Sequence, residues 1–199
     1  MTKIKICGIC SRCDIDYVNE AKPDYIGFVF AKSQRQIDFE TAEAFHKALD
    51  KEIKAVGVFV DEPLERIITA VKRGIIDMVQ LHGAEEEAYI RKLKEEIEVP
   101  VIKAVRAEKK EDVLKYQNSH AEYLLFDHGG GGTGKCFNWS LIENVKKPFI
   151  LAGGLHAANV QEGIQLLKPF AVDISSGAEE DGKKNKEKIK EIVRRVRNE

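Results

Sequence analysis

Gly153-Gly154 and Ser175-Ser176-Gly177 are the stretches whose residue types point most directly to a ligand. Paired glycines let backbone N–H groups approach an anion with no Cβ in the way, and serines add hydroxyl donors, so the two together predict a phosphate site. Ordinary tight turns would use the same residues. The run Gly129 to Gly134, GGGGTG, contains Gly131, Gly132, Thr133 and Gly134 and reads as a flap that closes on a substrate, with a plain glycine-rich connector as the alternative. It is not a Walker-type loop, because Lys135 is followed by Cys136 and the glycines lack the G-x-x-x-x-G-K-[ST] spacing. Cys7-x-x-Cys10-x-x-Cys13 has the spacing of thiolate metal ligands. A bacterial iron–sulfur run would continue with a cysteine where Tyr17 stands, and Cys136 is remote in sequence, so the expectation is no metal, with Cys10 and Cys13 as packing residues. Cys7 differs, since it closes an apolar run.

The elements that must position these groups are read from hydrophobic periodicity. Eight short apolar runs rich in β-branched residues recur along the chain: Lys3 to Cys7, Tyr25 to Phe30, Ile53 to Val60, Met78 to His82, Val101 to Val105, Tyr123 to Asp127, Phe149 to Ala152 and Ala171 to Ser175. Helical spacing fills the intervals. Pro63 opens and Gly74 closes one such helix, Ile189, Ile192, Val193 and Val196 make an apolar stripe on the last, and Glu108 to Tyr116 forms the shortest. Asp24, Asp77, Glu122 and Phe170 each stand just before an even-numbered run, a spacing of about 50 residues that suggests a repeated two-strand unit. Strict βα alternation with nearly continuous apolar strands predicts a parallel sheet covered by helices. A closed (β/α)₈ TIM barrel is favoured over an open doubly wound sheet, which would carry a dinucleotide fingerprint at its start. Residues 1–199 are then one α/β domain.

In such barrels chemistry sits at the C-terminal strand ends. Most runs end on polar residues or glycine: Cys7-Gly8, Val60-Asp61, Gln80-Leu81-His82-Gly83, Asp127-His128, Gly153-Gly154 and Ser175-Ser176-Gly177. With 32 Lys and Arg against 33 Asp and Glu, net charge −1, the chain has no global basic character to recruit nucleic acid or an anionic membrane. Eight basic residues between Lys183 and Arg197 are read as the solvated face of a covering helix rather than a polyanion site. The N-terminus lacks a secretory apolar core, and no apolar run approaches the roughly 18 residues of a membrane span, so the expected location is cytoplasmic.

The run ends resemble phosphoribosylanthranilate isomerases of tryptophan biosynthesis along nearly the whole chain. The matching blocks include Lys5-Ile6-Cys7-Gly8-Ile9, Gly27-Phe28-Val29-Phe30, Ser33-Gln34-Arg35, Gly57-Val58-Phe59-Val60, Gln80-Leu81-His82-Gly83, Phe126-Asp127, Gly131-Gly132-Thr133-Gly134, Leu151-Ala152-Gly153-Gly154-Leu155 and Asp173-Ile174-Ser175-Ser176-Gly177. The resemblance implies a (β/α)₈ barrel performing an Amadori rearrangement of a phosphorylated aminoaldose to an aminoketose. It implies Cys7 as general base, Asp127 as general acid, Arg35 as a substrate-binding arginine and backbone groups around Gly154 and Ser176 as the phosphate grip. The chemistry agrees: a carboxylic acid can protonate the ring oxygen if burial keeps it neutral, and a thiolate can take the C2′ proton of the resulting Schiff base. The imine is the electron sink, so neither metal nor organic cofactor is expected. The implied partner is a small phosphorylated substrate, with monomer or homodimer both open. Arg35 suits the anthranilate carboxylate. His82 and His128 are left outside the catalytic assignment.

Gln34 stands where a proline commonly precedes the arginine, Cys10 where a threonine is usual, and Asn138 where an aspartate is common. Competing readings are a barrel from a neighbouring step and a non-catalytic metal or redox protein. An indole-forming enzyme would show lysine and glutamate at several strand ends, whereas Lys103 is the only strand lysine assigned near a rim. A histidine-pathway isomerase would favour paired aspartates.

Overall fold

A computed structural model describes residues 1–127, 139–142 and 145–198. Eight parallel strands, β1 (Lys3–Cys7), β2 (Tyr25–Val29), β3 (Lys54–Phe59), β4 (Met78–Leu81), β5 (Val101–Arg106), β6 (Tyr123–Asp127), β7 (Phe149–Leu151) and β8 (Ala171–Ile174), close into a barrel in sequence order. The ring shuts where β1 pairs with β8, aligning Lys5 with Asp173, while on its other side Cys7 aligns with Gly27. Helices α1 (Arg12–Ala21), α2 (Phe39–Ala48), α3 (Leu64–Lys72), α4 (Glu87–Glu96), α5 (Lys110–Lys115) and α6 (Val160–Leu167) fill intervals between strands. A small hairpin of β9 (Glu179–Glu180) and β10 (Lys183–Lys184) follows β8, and α7 (Lys186–Arg197) ends the chain. Between β6 and β7 the described residues hold only a 3₁₀ turn, Trp139–Leu141.

Local sequence explains where the helices begin. Ser11 caps α1 and trades hydrogen bonds with Asp14, Asp38 caps α2 through Thr41 N at 2.8 Å, and Asn185 caps α7 through Lys188 N at 3.0 Å. α3 starts directly after Pro63 and is followed by Gly74 at φ +66°. The stripe of Ile189, Ile192, Val193 and Val196 is buried, which confirms the amphipathic reading of α7. The segment expected from Glu108 to Tyr116 contracts to six residues, Lys110–Lys115.

The recurrent acids turn out to be strand clamps. Asp24 accepts from Ile4 N at 3.0 Å, Asp77 from Ala55 N at 2.8 Å and Glu122 from Val101 N at 2.7 Å. Each carboxylate, placed just before an even strand, holds the first turn of backbone on the odd strand preceding it. A hydrogen bond to a charged group contributes about 1.5–3 kcal/mol. The fourth unit has no acid. There the Phe170 ring packs on Tyr123 at 4.6 Å between centroids, and its carbonyl accepts from Lys3 N at 3.0 Å.

Side-chain alternation then separates two cores. Ile4, Ile6, Phe28, Phe59, Leu124, Phe126, Leu151 and Val172 face the helices. Val56, Met78, Ile102, Ala104, Leu125, Ile150, Ala152 and Ala171 fill the barrel interior, with Tyr25, Tyr123 and Phe170 packed against them. Residues one or two steps further along the inward face must therefore emerge at the C-terminal mouth.

Candidate active site

Cys7, Val29, Val58, Gln80, His82, Ala104, Asp127, Ala152, Asp173 and Ser175 do emerge there, lining a cavity of about 540 Å³. Arg35 and Ser33 from the loop after β2, and Gly153, Gly154 and Ser176 from the loops after β7 and β8, complete the walls. Of the residues expected at the site, only Gly177 does not line this space, and the flap residues Gly131, Gly132, Thr133 and Gly134 lie outside the described residues, as do His128, Cys136 and Asn138. Cys7 is buried, but Cys10 and Cys13 are exposed and are not the packing residues expected, so the three-cysteine run is divided between barrel interior and surface. Among the described residues, no group of three or more His, Cys, Asp or Glu is arranged to hold a metal ion.

The two loops expected to grip phosphate are pressed together. Gly153 and Gly154 have φ of +82° and +67°, a conformation that L side chains rarely adopt, and Asn159 Nδ2 fixes the turn by donating to the Gly154 carbonyl at 3.0 Å. Gly177 packs against the neighbouring loop, where a Cβ would run into the Leu155 carbonyl. Gly177→Ala should therefore push the Ser175–Ser176 backbone away from Gly154. The expected outcome is a stability loss of about 1–3 kcal/mol by thermal or urea unfolding, as for other overpacked sites, with KM for a phosphorylated substrate rising more than kcat falls.

Three lysines are buried around the mouth, each against a carboxylate. Lys5 Nζ lies 2.9 Å from Asp173 Oδ2, both inside the barrel. Lys103 turns outward from β5 to Glu85 at 2.7 Å and the Gly83 carbonyl at 2.6 Å, while Glu85 also accepts from Asp61 N and Gly83 N. Lys103 is near the rim as expected, but on its outer side: it ties the loops after β3 and β4 together from behind and is not among the residues lining the cavity. The strand lysine that enters the interior is Lys5. Lys184 donates to the Ser175 carbonyl at 3.1 Å and pairs with Glu179.

Glu179 also receives Arg35. Arg35 Nε and Nη2 donate to its two oxygens at 2.7 and 2.6 Å, so the arginine is oriented by the hairpin after β8. Burial acts to raise the Glu179 carboxyl, but hydrogen bonds from Arg35 and Lys184 outweigh it and hold the pKa below the ordinary value. Cys7 moves the other way. Burial pushes its thiol up, opposed by the Lys5 ammonium and reinforced by the Asp173 carboxylate. At the opposite wall His82 Nε2 is 3.6 Å from Asp127 Oδ2, and His82 Nδ1 is 2.8 Å from Gln80 Nε2. Asp173 Oδ1 and Gln80 Oε1 are buried acceptors with no hydrogen-bond partner among the described residues.

The family model described as N-(5'phosphoribosyl)anthranilate (PRA) isomerase matches residues 4–195. The chain belongs to this isomerase family. It is 49% identical over 205 residues to the N-(5'-phosphoribosyl)anthranilate isomerase of Clostridium acetobutylicum, covering 99% of this chain and 98% of that one. The phosphoribosyl anthranilate isomerase of Thermotoga maritima superposes over 100% of both chains with TM-score 0.90 at 36% identity. A structure of a phosphoribosyl anthranilate isomerase in complex with reduced 1-(o-carboxyphenylamino)-1-deoxyribulose 5-phosphate superposes over 100% of both chains with TM-score 0.88 at 35% identity.

Within that family frame, the residues not singled out from sequence are Lys5, Asp173, Lys184 and Glu179, while Gln80 and His82 stand out there at a strand end without a role. The signal for Gln80 and His82 was present in the sequence, since both fall on the inward parity set by Met78. Asp173 shares the parity of Ala171. Glu179 and Lys184 had no such signal, because only the hairpin after β8 brings them to Arg35.

Proposed function

We propose that the protein is an N-(5'-phosphoribosyl)anthranilate isomerase that converts its aminoaldose substrate to 1-(2-carboxyphenylamino)-1-deoxyribulose 5-phosphate by acid–base catalysis, with Cys7 as base and Asp127 as acid. The observation that carries this reading is that Cys7, Asp127, Arg35, Gly154 and Ser176 line one cavity at the C-terminal mouth of the barrel. Phosphate is held by the backbone around Gly154 and by Ser176. Val29, Val58 and Val60 take the anthranilate ring, and Arg35 takes its carboxylate on the edge that Glu179 does not use. This leaves the ribose spanning the ring of strands, where Asp173 Oδ1 and Gln80 Oε1 can accept its hydroxyl or amine protons.

Two proton transfers carry the reaction to the enolamine, whose ketonisation then moves a proton from the 2′-hydroxyl and delivers one to C1′. Asp127 protonates the ring oxygen as the furanose C1′–O bond breaks and the nitrogen lone pair forms the C=N bond. Cys7 thiolate then removes the C2′ proton, its electron pair forms C1′=C2′, the C=N pair returns to nitrogen, and the enolamine tautomerises to the ketone. Burial pushes up the thiol that must ionise to act as base. A required acid and a required base together give a bell-shaped dependence of kcat/KM on pH whose limbs belong to the pair.

The sequence-based expectations of a single domain and a cytoplasmic location accompany this reading. Consistent with the location, no helix among the described residues is long and apolar enough to cross a membrane. Complementation of a tryptophan auxotroph lacking this step tests the function. Growth supports it, whereas soluble, folded protein that neither restores growth nor consumes phosphoribosylanthranilate in the presence of a chelator overturns it.

A further inference from the structure

We infer that Lys5 is the positioning residue for Cys7: its ammonium, held by Asp173 inside the barrel, is the counter-charge against which the Cys7 thiolate forms. This rests on the proposed role of Cys7 and deepens it. Lys5 and Cys7 are two residues apart on β1 and share its inward face. Across the strand pair stands Gly27, where a Cβ would lie 2.6 Å from Cys7 Sγ and 3.2 Å from Lys5 Nζ. The thiol and the ammonium thus both border the space that the absence of a side chain at Gly27 leaves open.

From the other flank, β8 brings Asp173 to 2.9 Å from Nζ, and the lysine side chain is only 1% exposed. Placing an ammonium here costs desolvation energy that an apolar side chain would avoid, since Val56, Met78 and Leu125 fill the same barrel without charge. Asp173 receives one of three ammonium donors, and the lysine charge and the thiol act on one another's ionisation. A buried cation beside the proposed base is what a thiolate in a low-dielectric interior needs.

The other charged and titratable groups facing Cys7 do not replace it. Arg35 is engaged by both oxygens of Glu179, and Lys184 by Glu179 and the Ser175 carbonyl. His82 and Asp127 line the cavity from β4 and β6, and Asp173, as an anion, disfavours the thiolate. Lys5 is the cation on the same strand face as the sulfur.

The test uses the full chain with Cys10, Cys13 and Cys136 replaced by serine, so that Cys7 is the single thiol. The rate of alkylation by iodoacetamide against pH gives the midpoint of Cys7 ionisation without reference to isomerase activity. Lys5→Met alone would strand a buried carboxylate, so the informative pair is Asp173→Asn and the double variant Lys5→Met/Asp173→Asn. The midpoint in the double variant should lie at least about one pH unit above that of Asp173→Asn, equivalent to a tenfold smaller thiolate fraction at neutral pH. The single variant Asp173→Asn should shift it below the parent value. Equal midpoints in the folded single and double variants would show that Lys5 only fills space, and would overturn the inference. Failure of the broader reading is distinguishable, because it appears as retained turnover in a Cys7 variant whatever the alkylation midpoints.

Discussion

Cys7→Ser is expected to lower kcat/KM by about 10²–10⁴-fold, the range for losing a general acid or base, while leaving the melting temperature and affinity for a product analogue close to wild type. Serine keeps the small buried volume opposite Gly27, so the barrel has no cavity to collapse. What it loses is proton affinity at an accessible pH: a hydroxyl beside Lys5 does not form an alkoxide under conditions where a thiol forms a thiolate. The deficit should therefore appear in kcat as well as kcat/KM, since C2′–H cleavage follows binding. Stopped-time fluorescence assays with unfolding and analogue-binding controls measure all three quantities. A serine variant with full turnover would place the base elsewhere.

Asp127→Asn should reduce kcat/KM by a similar factor, about 10²–10⁴, but through the earlier step. The amide is nearly isosteric and leaves the backbone pairing of β6 intact, including the bond from Ala107 N to the Asp127 carbonyl at 3.1 Å. It cannot deliver a proton to the ring oxygen. Ring opening then limits turnover, so substrate deuterated at C2′ should lose any primary isotope effect in this variant, whereas residual activity in Cys7→Ser should retain or increase it. His82, 3.6 Å from Asp127, is the neighbour able to supply a proton in its place. An Asp127→Asn variant that keeps both rate and isotope effect would remove the carboxyl from the mechanism.

Much of this arrangement is legible in the sequence for one physical reason: most strands are apolar on both faces, and most end abruptly on a polar residue or glycine. That pattern places β1 and β6 with their observed bounds and puts Cys7 and Asp127 at the mouth. It also explains Asp24, Asp77 and Glu122, although their recurrence alone did not reveal that they bind backbone N–H groups of the preceding odd strands. The misses are contacts set by closure of the ring. Lys5 reads as half of an alternating KIKIC strand until β8 returns beside it, and Arg35 reads as a loop arginine until the Glu179–Lys184 hairpin folds over it. Lys103 shows that charge near a rim does not by itself say which side of the sheet it occupies.

Inward parity along the strands also restricts how this gene can drift. Removing one codon before Cys7 within β1 would turn the thiol toward the covering helices and bring Gly8 into its place, and the same parity argument holds for Asp127 and Asp173. Length variation in descendants should accumulate in the connecting loops, while the strands change only by replacement, with alternate positions evolving under different demands.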